Sequence, residues 1–451
     1  MATKTPTKNT PDLPVNAAED RSAYIIGGNR IPFSKAGKKY RDASNQQMLT
    51  AAIEGLVARY GLQNERLGEV VAGAVLKHAR DFNMVREVVL GTSLSPNTPA
   101  YDVQQACATG LETSILVTNK IKLGQIESGI AGGSDTVSDA PIAVSEGLRR
   151  ALLNLSHART PQQRLKALAA LRPADLKPLT PDTGEPRTGL SMGEHQAITT
   201  AKWGITREAQ DEIAYNSHVN LARAWDSGFF DDLVTPFKGL TRDDNLRADT
   251  SMEKLATLKP AFGKGLSHLA EPTMTAGNST TLTDGASAVL FGTREWADSH
   301  NLPVLAKFVD AETAAVDFVH GHEGLLMGGT HAIARLLARN GLTLEDFDFF
   351  EIHEAFAATV LTTIAALEDD EYCRTELGLP GALGVIDRNK LNVNGSSLAA
   401  GHPFAATGGR IVATTAKLVH EKALETGRPA RALISICAAG GLAAVAIIES
   451  A

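Results

Sequence analysis

The chain has only three cysteines in 451 residues. Cys107, Cys373 and Cys437 lie far apart with no close, even spacing, which excludes a disulfide-stapled scaffold and points to a reducing compartment where thiols react or pack. CxxC and HxxxH pairings are lacking, so no metal site is expected. No apolar run approaches the ~20 residues that cross a bilayer. Neither charge is in large excess: 44 basic against 51 acidic residues, a net of -7, give no reason to expect nucleic acid as a partner. Nucleotide loops are missing too, since no glycine-rich piece forms GxGxxG between a strand and a helix, or GxxxxGK[ST].

What remains is a globular chain, 43% hydrophobic, long enough for two or three ordinary domains. Residues 1–20 are polar and proline-bearing, lack arginine and include Asp12, Glu19 and Asp20. They read as a disordered tail, unlike a secretory or mitochondrial leader. The last residues, Glu449-Ser450-Ala451, are not a peroxisomal address, and the cytoplasm is the expected location.

The chain repeats itself. At a constant offset of 280, Leu56, Ala58, Arg59, Gly61, Leu62 and Glu65 match Leu336, Ala338, Arg339, Gly341, Leu342 and Glu345. Both stretches describe a helix, a glycine cap, an acidic turn and a strand. The second copy ends its strand in His353-Glu354, where the first has Gly73 opposite the histidine. A second likeness links the small-residue run 129–133 to 435–441. Alternating strands and helices in both copies predict an α/β fold of layered, mainly parallel sheets in two similar halves. The halves are read as 21–296 and 297–451. Within the first lies a helix-rich insert, 141–270, whose segment 147–178 carries seven cations against Asp175 alone. Such a segment reads as a solvated helix face, a phosphate site or a membrane-surface contact.

Cys107 stands between a short strand at 100–103 and an apolar helix ending in Lys120, Lys122 and Gly124, a charge pattern that marks a helix C-terminus. The sulfur is therefore expected at the positive end of that helix, which lowers a thiol's pKa. Its neighbours Ala106, Ala108 and Gly110 leave room for a substrate, although a small buried hydrophobe would read the same way locally. His402, between Gly401 and Pro403, has little packing reason to be there. His353 closes a strand. Cys437 ends an apolar strand before Ala438-Ala439-Gly440-Gly441, a turn whose backbone N–H groups could receive an oxyanion. Cys373, in a charged stretch, looks incidental.

Together these segments resemble the thiolase family over almost the whole chain. The resemblance is carried by ACATG around Cys107, AGGSD at 131–135, SMG at 191–193, QDEIAYNSH at 210–218, TAGNSTTLTDGASA at 275–288, HEAFA at 353–357, GHPFAATGGR at 401–410 and CAAGG at 437–441. His before Glu-Ala-Phe, Cys-Ala-Ala-Gly-Gly and the basic insert after Ser138-Asp139-Ala140-Pro141-Ile142 are most similar to the branch that includes the β subunit of the trifunctional fatty-acid-oxidation complex. The resemblance implies a thiolase-like αβαβα fold and a 3-ketoacyl-CoA thiolase acting on acyl-CoA, with CoA as co-substrate and no bound cofactor. It implies Cys107 as nucleophile, His402 as its base, and Cys437 as the second acid and base. One oxyanion hole would come from His402 with His353, the other from the backbone N–H groups of Cys107 and Ala439. Met192, Thr280 and Phe356 would line the pantetheine and acyl path. A homodimer or dimer of dimers is implied, with an α subunit as a possible partner.

Alternatives are an acetoacetyl-CoA thiolase with a shorter pocket, a decarboxylating ketosynthase, and a non-catalytic lipid carrier or scaffold. The ketosynthase has no need of Cys437, and the carrier predicts the loss of a reacting group.

Overall fold

The computed structural model describes residues 21–266, 269 and 271–451. The tail expected at 1–20 lies outside them. Ten strands form one sheet: β1 Tyr24–Arg30, β2 Ser34–Lys35, β3 Glu69–Ala72, β4 Ala100–Asp102, β5 Ser128–Asp135, β6 Thr283–Gly292, β7 Ala306–Ala315, β8 Phe349–Ile352, β9 Arg431–Ala438 and β10 Leu442–Ser450. Their order is β4-β3-β5-β6-β1-β7-β10-β9-β8, with β2 on β6. Outward from the β1–β7 seam, both sides follow one plan. One side runs β1, β6, β5, β3, β4. The other runs β7, β10, β9, β8, and Leu391 bridges in parallel to Phe350 where the counterpart of β4 would sit. The seam consists of two residue pairs, Tyr24 with Lys307 and Ile25 with Ala306.

The expectation of mainly parallel sheets is corrected. Parallel pairing is confined to β3–β4, β3–β5 and β8–β9, and the other neighbours are antiparallel. Strand–helix alternation enforces parallel pairing only where a helix-length crossover intervenes. The β9–β10 link is the tight turn Ala439–Gly441, which can join only antiparallel neighbours. The β5–β6 link runs through the whole insert and imposes no direction.

Side-chain alternation along the strands makes the layers. Ile25, Val71, Ala131, Ile434, Ala444 and Ala446 face a core shared with Leu111, Val117, Ile411 and Val412. Their chain neighbours point the other way. Ile26, Val70 and Ile130 pack under the helix Asn45–Tyr60, and Leu433 and Val445 pack under the helices Gly328–Asn340 and Ala357–Glu368. The helices Thr109–Lys122 and Ala406–Thr426 thus lie between two sheet halves, each covered outside by further helices, giving the αβαβα stacking. The repeat seen in the sequence has one geometry in both places. Asn45–Tyr60 stops at Gly61 with φ +66°, and Gly328–Asn340 stops at Gly341 with φ +63°, both left-handed caps before a strand.

The insert is helical, with Glu146–His157, Pro161–Ala169, Met192–Lys202, Arg207–Asp226 and the short Met252–Ala256. It is tied to the sheet by a buried bidentate pair, Arg30 to Asp243 at 2.6 and 2.8 Å, whose carboxylate also accepts from Phe33 N and Trp225 Nε1.

Candidate active site

The turn that carries Cys107 is wound tightly between β4 and the helix Thr109–Lys122. Ala108 N donates to Gln105 O at 3.0 Å. Ala106 takes φ +46°, a left-handed conformation that costs a residue with a Cβ roughly 1–3 kcal/mol. Thr109 holds the turn: its Oγ1 accepts from Gln105 N at 2.8 Å and donates to Ala106 O at 2.7 Å. Just beyond, Gly110 has no side chain for a reason of space. A Cβ there would stand 2.6 Å from Ala405 O, so glycine lets this helix meet the loop that follows His402. Phe404 in that loop has φ +21°, a second strained position. Both strained residues lie within two positions of a reactive group.

His353 follows the last residue of β8. At the matching place in the first half, a Cβ on Gly73 would fall 1.7 Å from Val103 O, so only the second half has room for a side chain. The His353 and His402 rings lie 4.2 Å apart, centroid to centroid, tilted by 47°. Each is held from behind. His353 Nδ1 lies 2.8 Å from Ser397 Oγ, and His402 Nδ1 lies 2.6 Å from Thr407 Oγ1. Both Nε2 atoms are buried without a hydrogen-bond partner among the described residues. Burial, the His402 ring and Arg410 hold His353 well below the usual imidazole range, and burial with Arg410 brings His402 down to about 3. Both rings are therefore neutral near pH 7.

Cys107 and the turn that follows Cys437 come together here. Burial pushes Cys107 up to about 12, offset in part by the N–H groups of Ala439 and of Cys107 itself, which bond to the sulfur. The expectation of a lowered thiol pKa is corrected. The helix begins at Thr109, two residues on, and burial is the largest influence on the thiol. Cys437 is also pushed up, by burial first and then by Cys107. At rest both are thiols. The rate of Cys107 alkylation by iodoacetamide should therefore keep rising with pH from 7 to 10, whereas an activated thiolate would plateau below 7.

The pieces around the thiols come from both halves and the insert. Cys437, Phe356, Met274, Leu325 and Leu326 form one apolar cluster, with Met192 packed against it. Thr280 donates through Oγ1 to Ser397 O at 2.9 Å and through N to Ala355 O at 3.0 Å, which sets it beside both histidine-bearing segments. Ala439 opens the turn after β9 with Gly440 at φ +79°. Cys373 is apart from all of these, with Sγ against Ala366 O and Leu367 O at 3.4 and 3.5 Å. No group of three or more His, Cys, Asp or Glu among the described residues could hold a metal ion.

Sequence reasoning missed several residues. Glu185, from the insert, is buried and its Oε1 accepts the Gly440 N–H at 3.0 Å, clamping the turn that presents Ala439. Nothing in its surroundings, Gly184 and Pro186, announces this. Asp135 lies inside a motif already singled out. Its carboxylate accepts from Val75 N, Leu76 N and Ala405 N at 2.8–3.0 Å, joining the end of β3 to the loop of His402. A lone acid ending a strand of small residues was the available signal. Ser397 and Arg410 also lay within quoted motifs, with no sign of what they bind.

Residues 23–295 match the thiolase N-terminal domain and residues 302–450 the thiolase C-terminal domain. A 3-ketoacyl-CoA thiolase of Pectobacterium carotovorum is 39% identical over 436 residues, 95% of this chain and 97% of that protein. One from Alteromonas mediterranea is 37% identical over 442 residues, 97% and 98% of the two chains. Among solved structures, the acetyl-CoA acetyltransferase of Bacillus anthracis has a TM-score of 0.77 at 27% identity, covering 96% of this chain and all of that one. Human mitochondrial 3-ketoacyl-CoA thiolase also has a TM-score of 0.77, at 25% identity and 96% and 99% coverage. With both domains matched in order and relatives aligned nearly end to end, this chain belongs to the thiolase family.

Proposed function

We propose that the protein is a 3-ketoacyl-CoA thiolase, an acyltransferase that cleaves 3-oxoacyl-CoA with CoA to acetyl-CoA and a shortened acyl-CoA. The observation that carries the reading is that the N–H groups of Cys107 and of Ala439, two residues after the buried Cys437, bond to the buried Cys107 sulfur. Cys107 gives its proton to His402 Nε2 as the sulfur attacks the 3-keto carbon. The alkoxide formed is held by His402 and His353. The C2–C3 bond then breaks, leaving an acyl-cysteine and the acetyl-CoA carbanion, which takes the proton of Cys437. The resulting Cys437 thiolate removes the proton of the incoming CoA thiol. CoA attacks the acyl-cysteine, and the second oxyanion rests on the N–H groups of Cys107 and Ala439. Collapse releases acyl-CoA and the Cys107 sulfur, which recovers its proton from His402. Neutral histidines and protonated thiols suit this cycle, since a base must be free to accept and an acid must hold its proton. Met192, Thr280 and Phe356 line the acyl and pantetheine path. In this reading the halves divide at 296/297 and each supplies one thiol.

Rates of CoA-dependent cleavage across C4 to C16 3-oxoacyl substrates test the assignment. Activity confined to C4 favours an acetoacetyl-CoA thiolase, and no cleavage at any length defeats the reading. Glu185→Ala should lower kcat by about 10- to 100-fold, less than the loss of a whole oxyanion donor, while Glu185→Gln, which keeps an acceptor for Gly440 N, should retain most of it.

The same reading includes a homodimer or dimer of dimers in the cytoplasm, alone or with an α subunit. β4 supports it, an edge strand paired only with β3 among the described residues, with backbone groups free for another copy. Light scattering decides the mass. The segment 147–178 is read as an anionic membrane contact. Eight of the fifteen large hydrophobics exposed among the described residues fall at 142–179, including Leu152, Leu153, Leu165 and Leu168. A purely solvated face does not account for leucines beside so many cations. Cosedimentation with phosphatidylserine vesicles should fall about tenfold in Leu165→Asp/Leu168→Asp. Unchanged sedimentation would leave the patch to a protein partner.

A further inference from the structure

The two histidines lie side by side, tilted, buried and neutral, yet the proposed reaction asks different things of them. His402 must exchange a proton at Nε2. His353 must donate a hydrogen bond from Nε2 throughout. What lies behind each ring decides which it can do.

Behind His353, Ser397 Oγ sits 2.8 Å from Nδ1 and 3.0 Å from Arg410 Nη2. A guanidinium can only donate, and a hydroxyl has one hydrogen. Ser397 Oγ therefore accepts from Arg410; if its second lone pair took an Nδ1–H, its own buried hydrogen would have no acceptor among the described residues, so that hydrogen goes to His353 Nδ1. A ring that accepts at Nδ1 carries its proton at Nε2. We propose that Arg410, acting through Ser397, is a positioning residue that locks His353 as the Nε2–H tautomer. His353 thereby becomes a permanent donor beside a histidine free to trade protons. His402 has no such lock. Thr407 Oγ1, 2.6 Å from its Nδ1, bonds to no cation among the described residues and can accept from Nδ1–H, which the ring carries both as the neutral base and as the imidazolium.

Arg410 is itself fixed in place. It is buried on the helix Ala406–Thr426 and its Nη2 also donates to Ser396 Oγ at 3.2 Å. Two buried acids share its surroundings. Glu354 is satisfied by Ser217 Oγ, Asn392 Nδ2 and Leu398 N. Glu351 at the end of β8 has no hydrogen-bond partner among the described residues on either oxygen, and the charge of Arg410 opposes the rise that burial imposes on it. The guanidinium thus belongs to the charge balance of the core as well as to the lock. Its removal could unfold the chain, and Ser397→Ala is the cleaner probe.

The lock rests on the thiolase reading for its purpose and not for its existence. In protein labelled with 15N-histidine, long-range 1H–15N correlation should show His353 protonated at Nε2 and bare at Nδ1. A proton on Nδ1 would overturn the proposal whatever the enzyme does. Ser397→Ala should lower kcat about 10- to 100-fold at unchanged KM and let the Nδ1–H form appear, and Ser397→Thr, which keeps the hydroxyl, should restore both. In a His353→Asn background, whose amide donates without a lock, Ser397→Ala should have no further effect. Full kcat in Ser397→Ala would sink the lock and leave the thiolase assignment standing. Failure of the parent enzyme to cleave any 3-oxoacyl-CoA would sink the assignment, and the tautomer spectrum would still decide the lock.

Discussion

Cys107→Ser is expected to stop acyl-enzyme formation. Mass spectrometry of the parent enzyme mixed with acetoacetyl-CoA should find one acetylated peptide, that of Cys107, and the variant should yield none. The expected fall in kcat is about 10³-fold or more, the scale seen when a nucleophile acting with its base is removed. The physical reason is the site's resting state. Burial keeps the Cys107 thiol protonated, up to about 12, and His402 is a weak base at about 3. In the proposed cycle that mismatch is bridged because sulfur is a good nucleophile and its anion is short-lived. An alcohol, harder to deprotonate and less nucleophilic, has neither advantage. The turn itself should survive, since Thr109, Gln105 and Ala106 hold it through bonds that do not involve the sulfur. Acetylation of a different peptide in the parent enzyme would overturn the assignment of the nucleophile.

Cys437→Ala is expected to separate the two halves of the reaction. Cys107 adds to the rise that burial imposes on its thiol, and in the proposed cycle that thiol takes no part in the first attack. Mixed with substrate, the variant should still show partial labelling of Cys107, while steady-state turnover falls by about 10²–10⁴-fold, the range of a positioned acid or base. Two proton transfers fail together: the carbanion leaves without an acid, and the incoming CoA keeps its thiol proton. Removing a buried sulfur from the cluster with Phe356 and Met274 should cost little fold stability, because alanine leaves only a small cavity. Equal loss of acylation and turnover would assign Cys437 to the first step and refute the division of labour.

The legible part of this protein was what local chemistry writes into a chain. Gly61 and Gly341 could be read as helix caps because a left-handed residue after a helix is a short-range requirement, and each does take that conformation. Their constant spacing exposed a duplication that the strand order around the β1–β7 seam repeats. Strand direction was misread because alternation of strands and helices says nothing about links as short as Ala439–Gly441 or as long as the insert. The pKa of Cys107 was misread for a related reason. The helix end is a local feature, visible in sequence, whereas burial depends on segments hundreds of residues away.

By itself, the sequence determined the α/β alternation, the repeat and the family, and named candidate reactive side chains, because each depends on residue type or on contacts between near neighbours in the chain. Only the tertiary structure decided that the thiols rest protonated, that Glu185 clamps the turn of Ala439, and that Arg410 and Ser397 stand behind one histidine and Thr407 behind the other. Desolvation and the hydrogen bonds of Glu185 and His353, which span 255 and 44 residues, arise only once the layers have packed, and the five-residue contact of Thr407 depends on the conformation of the His402 loop that the same packing sets.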